Sequence, residues 1–189
     1  AYHEHLSYFA IKPLVELFKK YNMEIFDVKR TSIHGGSIRV YIKMSSSKLS
    51  AMNNIENLLN VEEDMKLYSV DTYKEFADRV EKLKEKLVAL LTKLKSEGKT
   101  IVGYGAAAKG NTLLNYCKIN STILDYIADK NPLKHGMYTP GMHIPIVHVA
   151  QILEDKPDYV LILAWNFADE IIKQQQKYRD LGGKFIIPI

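Results

Sequence analysis

Two stretches carry residue types that do chemistry. The first is "AYHEHLSYFA", which crowds Tyr2, His3, Glu4, His5 and Tyr8 together. Imidazole and carboxylate groups at this density suit proton transfer or metal binding. Metal binding is the poorer reading. His3 and His5 do not have the spacing of H-E-x-x-H, and on a helix they would point apart. The second stretch is "VGYGAAAKGNT", where Gly103, Gly105 and Ala108 satisfy G-x-G-x-x-[G/A] directly after an apolar run. Such glycines permit a tight turn and a close backbone approach, and the helix that follows offers free N–H groups to an anion. Asp129 ends the next apolar run, where a dinucleotide site places its ribose-binding acid. Lys109, Asn111 and Thr112 line the turn with more polarity than a nicotinamide fingerprint carries, which favours some other phosphate-bearing ligand over NAD. Glycines that serve only the turn are the alternative. No G-x-S-x-G elbow, Walker A loop or EF-hand loop occurs.

These residues need a scaffold, and the hydrophobic pattern predicts one in three blocks. In "KPLVELFKKYNM", Pro13 stands at a helix start and Leu14, Val15, Leu17, Phe18 and Tyr21 share a face. "EIFDVKRTSI" and "SIRVYIKM" are β-rich runs joined through His34, Gly35 and Gly36, a hairpin signal. Residues 45–60 are polar and small, and read as a surface loop or weak helix. Across 71–97, Tyr73, Phe76, Val80, Leu83, Leu87, Leu90 and Leu94 recur in steps of three and four. The spacing predicts a long amphipathic helix with Asp71 as N-cap and Gly98 as C-cap. It packs on its own protein or joins two copies as a homodimer.

Residues 99–189 alternate strand and helix. Strands fall at "KTIVGYGA", "ILDYIAD", "IPIVHV", "DYVLILAW" and "KFIIPI", and helices at "AAKGNTLLNYCKI" and "NFADEIIKQQQKYRDLGG". Fully apolar strands such as "YVLIL" belong to a parallel sheet covered on both faces. The fold class is therefore α/β: a small doubly wound, Rossmann-like parallel-sheet domain, preceded by a long amphipathic helix and by a helix plus β-hairpin. The loop "DKNPLKHGMYTPGMHIPI" follows a strand's carboxyl end, where open α/β sheets place ligands. Its Lys130, Lys134, His135 and Tyr138 could face an anion or simply be solvated.

Composition excludes several classes. The net charge of +4 is mild and no Lys/Arg run is dense enough to suggest nucleic acid. The lone Cys117, flanked by apolar residues, rules out a disulfide framework or a Cys-based zinc module within this chain, and fits a small buried hydrophobe. No apolar run approaches a membrane span and no signal peptide is visible, so a cytoplasmic protein without membrane contact is expected.

Taken in order, "YHEHLSYF", "HGGSIRVY", "GYGAAAKGNTLLNY", "YTPGMHIPI" and "DYVLILAWNFADEI" closely resemble the C-terminal part of the S-adenosyl-L-methionine (SAM)-dependent sugar C-methyltransferases. These act on nucleotide-linked deoxy-keto-sugars. The resemblance covers nearly the whole chain apart from residues 45–98. It implies three regions: a C-terminal remnant of the SAM-dependent methyltransferase domain at 1–45, a linker with the long helix at 46–98, and a C-terminal Rossmann-like domain at 99–189. It also implies that the SAM-binding domain, and a small N-terminal domain in which zinc can be held by cysteines, lie upstream of this sequence.

The resemblance further assigns residues. The family's Tyr-x-Glu-His motif falls on Tyr2, Glu4 and His5. Methylating a ring carbon next to a ketone requires removal of a C–H proton, and an imidazole with an ordinary pKa near 6.5 suits that base. His5 is then the base, Glu4 orients it or bonds the substrate, and Tyr2 donates a hydrogen bond to the developing enolate. His34, Gly35, Gly36 and Arg39 match the family's hairpin turn, where they either face the substrate or serve only the turn and the surface. The turn from Gly103 to Asn111, with Lys109, Gly105 and Asp129, belongs to the domain that helps enclose a nucleotide-linked sugar, a dTDP-sugar being the expected form. A chain of this kind would not methylate alone.

Overall fold

The structure is a computed structural model that describes residues 7–33 and 36–189. Tyr2, Glu4, His5 and His34 lie outside the described residues. The chain divides into two compact units, the second running from Asp78 to Ile189.

In the first unit, α1 (Ile11–Lys19) is followed by a hairpin of β1 (Met23–Thr31) and β2 (Ser37–Met44), paired antiparallel with a bulge between Ile25 and Asp27. The stretch expected as loop or weak helix contains a full helix, α2 (Asn54–Asp64). Its Ile55, Leu58 and Leu59 pack on Ile11, Leu14, Ile25 and Val28, so tertiary burial stabilises a segment whose own composition is weakly helical.

The helix predicted across 71–97 is α3 (Val70–Ser96), with Asp71 inside its first turn rather than capping it. The Ser69 hydroxyl accepts the Asp71 N–H instead, at 3.3 Å. Gly98, at φ +74°, lets the chain leave in the left-handed conformation, as a C-terminal cap requires. The buried stripe is Leu87, Leu91 and Leu94, whereas Tyr73, Phe76 and Leu90 are exposed. Steps of three and four leave two neighbouring registers open, and packing against the sheet selects the one through Leu91.

The second unit is a five-stranded parallel sheet in the order β5-β4-β3-β6-β7, formed by β3 (Ile101–Tyr104), β4 (Ile127–Asp129), β5 (Ile146–His148), β6 (Tyr159–Ile162) and β7 (Lys184–Ile186). Alternation along the strands sends Ile101, Ile127 and Leu161 to a face covered by α3 and by α4 (Ala108–Cys117). Val102, Ala128, Val160 and Ile162 go to the other face. There they meet Ile152 of α5 (Gln151–Asp155), Ile171 of α6 (Ala168–Gln174) and Tyr178 of α7 (Gln176–Asp180). The expected α/β, doubly wound, Rossmann-like domain is the one observed. The last predicted helix is broken into α6 and α7 at Gln175. Among the described residues, no helix is long and apolar enough to cross a membrane.

Candidate functional site

The first strand of a doubly wound sheet is central, and the chain crosses to opposite sides of it. Its carboxyl end is therefore flanked by loops that diverge and leave a crevice. Here that strand is β3, with β4 on one side and β6 on the other. The residues that end these strands, Tyr104 to Ala107, Asp129 and Leu163 to Trp165, build the site.

The glycines have separate tasks. Gly103 lies within β3, where a Cβ would sit 2.9 Å from Ile127 and 3.2 Å from Leu163, so its missing side chain serves the sheet's own packing. Gly105 adopts φ +88°, and a Cβ there would meet that of Ala164 at 2.9 Å. It turns the chain out of the strand where a side chain would be both strained and blocked. A further close approach falls at Gly110: a Cβ there would be 2.7 Å from Leu163, which lets α4 lie close against the end of β6.

The N-terminus of α4 is open. Ala107 provides no side-chain cap, and the first turn leaves the amides of Ala108, Lys109 and Gly110 without intrahelical acceptors. The Lys109 ammonium stands 5.4 Å from the centre of the Trp165 ring, across the crevice between β3 and β6. Helix dipole, ammonium and indole together suit an anionic group next to a flat ring. On one side of the turn a cleft of about 240 Å3 is lined by Ala106 to Ala108, Asn111, Thr112, Thr139 and Pro140. The Asn111 Oδ1 is buried without a hydrogen-bond partner among the described residues. On the other side a cleft of about 290 Å3 is bounded by Tyr104, Gly105, Asp129, Lys130, Ala164, Phe167, Glu170 and Gln174. The Tyr104 hydroxyl is buried there, likewise without a partner of ordinary geometry among the described residues. Burial pushes its pKa up, which the nearby Gln175 side chain opposes. Unpartnered buried polar atoms are uncommon and mark where a ligand's own groups could bond.

Asp129 behaves differently from a ribose-binding acid. It is 8% exposed. Its Oδ2 accepts the Ala106 N–H at 2.7 Å and the Lys134 ammonium at 3.3 Å, while Oδ1 accepts the Asn131 N–H at 2.8 Å. Lys134 also donates to the Ala106 carbonyl at 2.8 Å, and the His135 Nε2 donates to the Asp129 carbonyl at 2.8 Å. Asp129, Lys134 and His135 thus clasp the glycine turn. Lys130 turns to Gln174 and Tyr138 is exposed. The adenosine of SAM or NAD would need a free carboxylate at the end of β4, and the described residues do not offer one there. They do not fit SAM.

Gly36 and Arg39 belong to the first unit. Gly36 takes φ +123° with open space around it, and Arg39 is exposed on β2 opposite Lys29. The structure therefore brings Gly105, Lys109, Asn111 and Asp129 together at one sheet edge, places Gly103 beneath them, and leaves Gly36 and Arg39 in the other unit. Tyr104 and Trp165 escape a reading by motif because each resembles an ordinary core aromatic in sequence.

The sequence model of the C-methyltransferase C-terminal domain family matches residues 32–189. The chain belongs to that family. It is also 36% identical over 188 residues to the C-methyltransferase NovU of Streptomyces niveus, covering 100% of this chain and 45% of NovU. The chain thus spans less than half of that relative's length. Within this C-methyltransferase C-terminal domain, the matched region holds β2, α2, α3 and the whole parallel-sheet unit, while α1 and all of β1 precede it.

Proposed function

We propose that this chain is the substrate-binding, base-bearing part of a SAM-dependent C-methyltransferase acting on a carbon next to a ketone in a nucleotide-linked deoxysugar, with dTDP as the nucleotide. Membership of the C-methyltransferase family supports the reaction class. The observation that carries the finer reading is the convergence at the β3–β6 crevice. The open first turn of α4, Lys109 over Trp165, and the unpartnered Asn111 and Tyr104 atoms all flank one glycine turn. A diphosphate matches the helix end and the ammonium, and a base or sugar hydroxyl matches the buried polar atoms.

Tyr2, Glu4 and His5 are read as the proton-abstraction group, with His5 as base, Glu4 orienting it and Tyr2 bonding the enolate oxygen. The methyl donor is held by residues outside those described. The chain alone binds the sugar nucleotide and does not methylate.

Calorimetric titration of the chain with a dTDP-linked 4-keto-6-deoxyhexose tests this. Binding is expected, with Lys109→Ala weakening it about tenfold, the scale of one charge-assisted hydrogen bond. No binding by the wild-type chain defeats the proposal. Parallel titration with NAD(H) separates it from a stand-alone dinucleotide module, which would need Asp129 released from Ala106. Tight binding of SAM would contradict the placement of the methyl donor.

A further inference from the structure

The glycine turn uses every one of its own backbone groups. The Gly105 N–H donates to the Ala128 carbonyl at 2.8 Å, and the Ala107 N–H closes the turn on the Gly105 carbonyl at 2.8 Å. The Ala107 carbonyl takes the first bond of α4, from the Asn111 N–H at 2.9 Å. The Ala106 N–H goes to Asp129 Oδ2 at 2.7 Å, and the Ala106 carbonyl accepts from the Lys134 ammonium at 2.8 Å. From Gly105 to Ala107 no carbonyl is left over. The amides of Ala108, Lys109 and Gly110 come next, without intrahelical acceptors. An anion at this helix end therefore meets N–H groups with no unpaired carbonyl of the turn among them.

Two of the turn's three carbonyls are held by backbone, and their bonds form whenever the turn and α4 form. The one at Ala106 depends on a single side chain from 28 residues away. Lys134 is set for that task. It ends a 3-10 turn, Pro132–Lys134, whose start is capped by the Asn131 side chain, which accepts the Leu133 N–H at 3.1 Å. The Asn131 N–H in turn donates to Asp129 Oδ1 at 2.8 Å. Besides the carbonyl, the Lys134 ammonium pairs with Asp129 Oδ2 at 3.3 Å, so it also offsets the carboxylate bonded to the turn. Lys134 lines neither cleft beside the turn, whereas Ala106 lines one and Asp129 the other. Its ammonium is occupied by the wall of the site rather than offered to a ligand.

We propose that Lys134 is a positioning residue for anion binding at the glycine turn. It keeps the Ala106 carbonyl bonded and the Asp129 charge offset, and does so without touching the ligand. Removing the ammonium would free a carbonyl oxygen on the wall of one cleft and leave the buried Asp129 carboxylate without its counter-charge on the other. Both changes disfavour a bound phosphate. Nothing bulky resists the rearrangement, because the turn is built from Gly105, Ala106 and Ala107. The inference rests on the reading of this crevice as a diphosphate site. It adds that affinity there is set in part by the loop after β4, outside the glycine motif.

The test titrates the chain with dTDP and follows its backbone and lysine resonances by NMR. In the wild type, dTDP should move the Ala108, Lys109 and Gly110 amides and the Lys109 Cε resonance, and the Lys134 Cε resonance far less. A Lys134 shift as large as that of Lys109 would make Lys134 a ligand contact and overturn the proposal. Lys134→Met should move the Ala106 carbonyl-carbon resonance before any dTDP is added, and should weaken dTDP binding about tenfold. In an Asp129→Asn background the same change should cost only about threefold, since the charge it uncovers is gone. An equal loss in both backgrounds, unchanged binding by folded Lys134→Met, or a loss that tracks only its unfolded fraction each sinks the positioning role. If Lys134→Met does not fold, Lys134→Gln decides, because it keeps a donor for the Ala106 carbonyl and loses the charge. A loss of about threefold is expected, and none overturns the proposal. A wild-type chain that binds no dTDP would instead defeat the diphosphate reading beneath it. Binding that Lys109→Ala weakens and Lys134→Met does not would leave that reading standing and remove only the role of Lys134.

Discussion

The parallel-sheet unit and the unit that precedes it hold together by different means. In the first, Ile101, Ile127 and Leu161 bury completely against α3 and α4, and Val102, Ala128, Val160 and Ile162 bury on the opposite face. Its polar groups work at the strand ends, where Asp129 and Lys134 clasp the glycine turn and Asp158 and Thr100 bond each other at the strand starts. In the second, the buried core among the described residues is Ile11, Leu14, Ile25 and Val28, and the buried carboxylates of Asp27 and Glu62 tie α2 to the hairpin and to α1. A small unit buries too little apolar surface to specify its arrangement by packing alone, and satisfied buried polar groups then fix the geometry. The large unit is a scaffold with a crevice at its edge. The small one is held by buried polar pairs.

This contrast makes predictions of graded size. Leu161→Ala, in the central strands of the sheet, should destabilise by about 3 kcal/mol in urea unfolding, through lost transfer and a cavity. Amide exchange should accelerate in the sheet and not in the hairpin. Asp27→Ala should cost about 2 kcal/mol by leaving the Val28 N–H and the Asn54 amide without their acceptor. Its accelerated exchange should fall in α2 and β1. If the two variants spread through both units alike, the distinction between packed and tethered regions fails.

Smaller effects come from polar ties within the packed unit. The hydroxyl of Tyr178 lies 2.9 Å from the Pro157 carbonyl and 3.3 Å from that of Lys184, and its ring fills the space above Gly183. Tyr178→Phe keeps the ring and should cost about 1 kcal/mol. Burial raises the Tyr178 pKa to about 12. A raised pKa means that the folded state holds the proton more tightly. The associated stability is complete below the ordinary value of 10.0 and is lost as pH rises towards 12, so alkaline melting should differ between wild type and Tyr178→Phe. The smallest effect is at Asp158. The Thr100 N–H, above all, and then Lys99 hold its carboxyl below the ordinary 3.8. Its contribution is complete above that value and disappears as pH falls through the depressed one, so Asp158→Asn should flatten the acid limb of stability below about pH 4.

Local pattern made much of this legible. "TIVGYGA" shows a buried strand running into a turn because an apolar run ends on a residue that tolerates φ +88°. "YVLIL" shows a strand buried on both faces because every position is apolar. What stayed hidden depends on partners distant in sequence. Glu62 sits in "VEED" as one acid among three, and nothing within a helical turn marks it as the one that holds Ile11 and Lys12. Leu91 and Leu90 are indistinguishable until the sheet selects a face. The close approach of α4 through Gly110 to Leu163 is a meeting of residues far apart in the chain that the G-x-G-x-x-[G/A] pattern does not include.

The sequence by itself determined the α/β class, the glycine turn at the end of the first parallel strand, and the family to which its motifs point. Periodicity and turn chemistry act over a few residues and survive without a partner. Only the tertiary structure decided that Asp129 closes on Ala106 rather than waiting for a ribose, that the buried Asn111 Oδ1 at the crevice has no partner among the described residues, and that α2 reaches back to hold α1. Each of these is a pairing across 20 or more residues, or the lack of one, and a hydrogen bond is set by where two groups meet in space rather than by either group's neighbours in the chain.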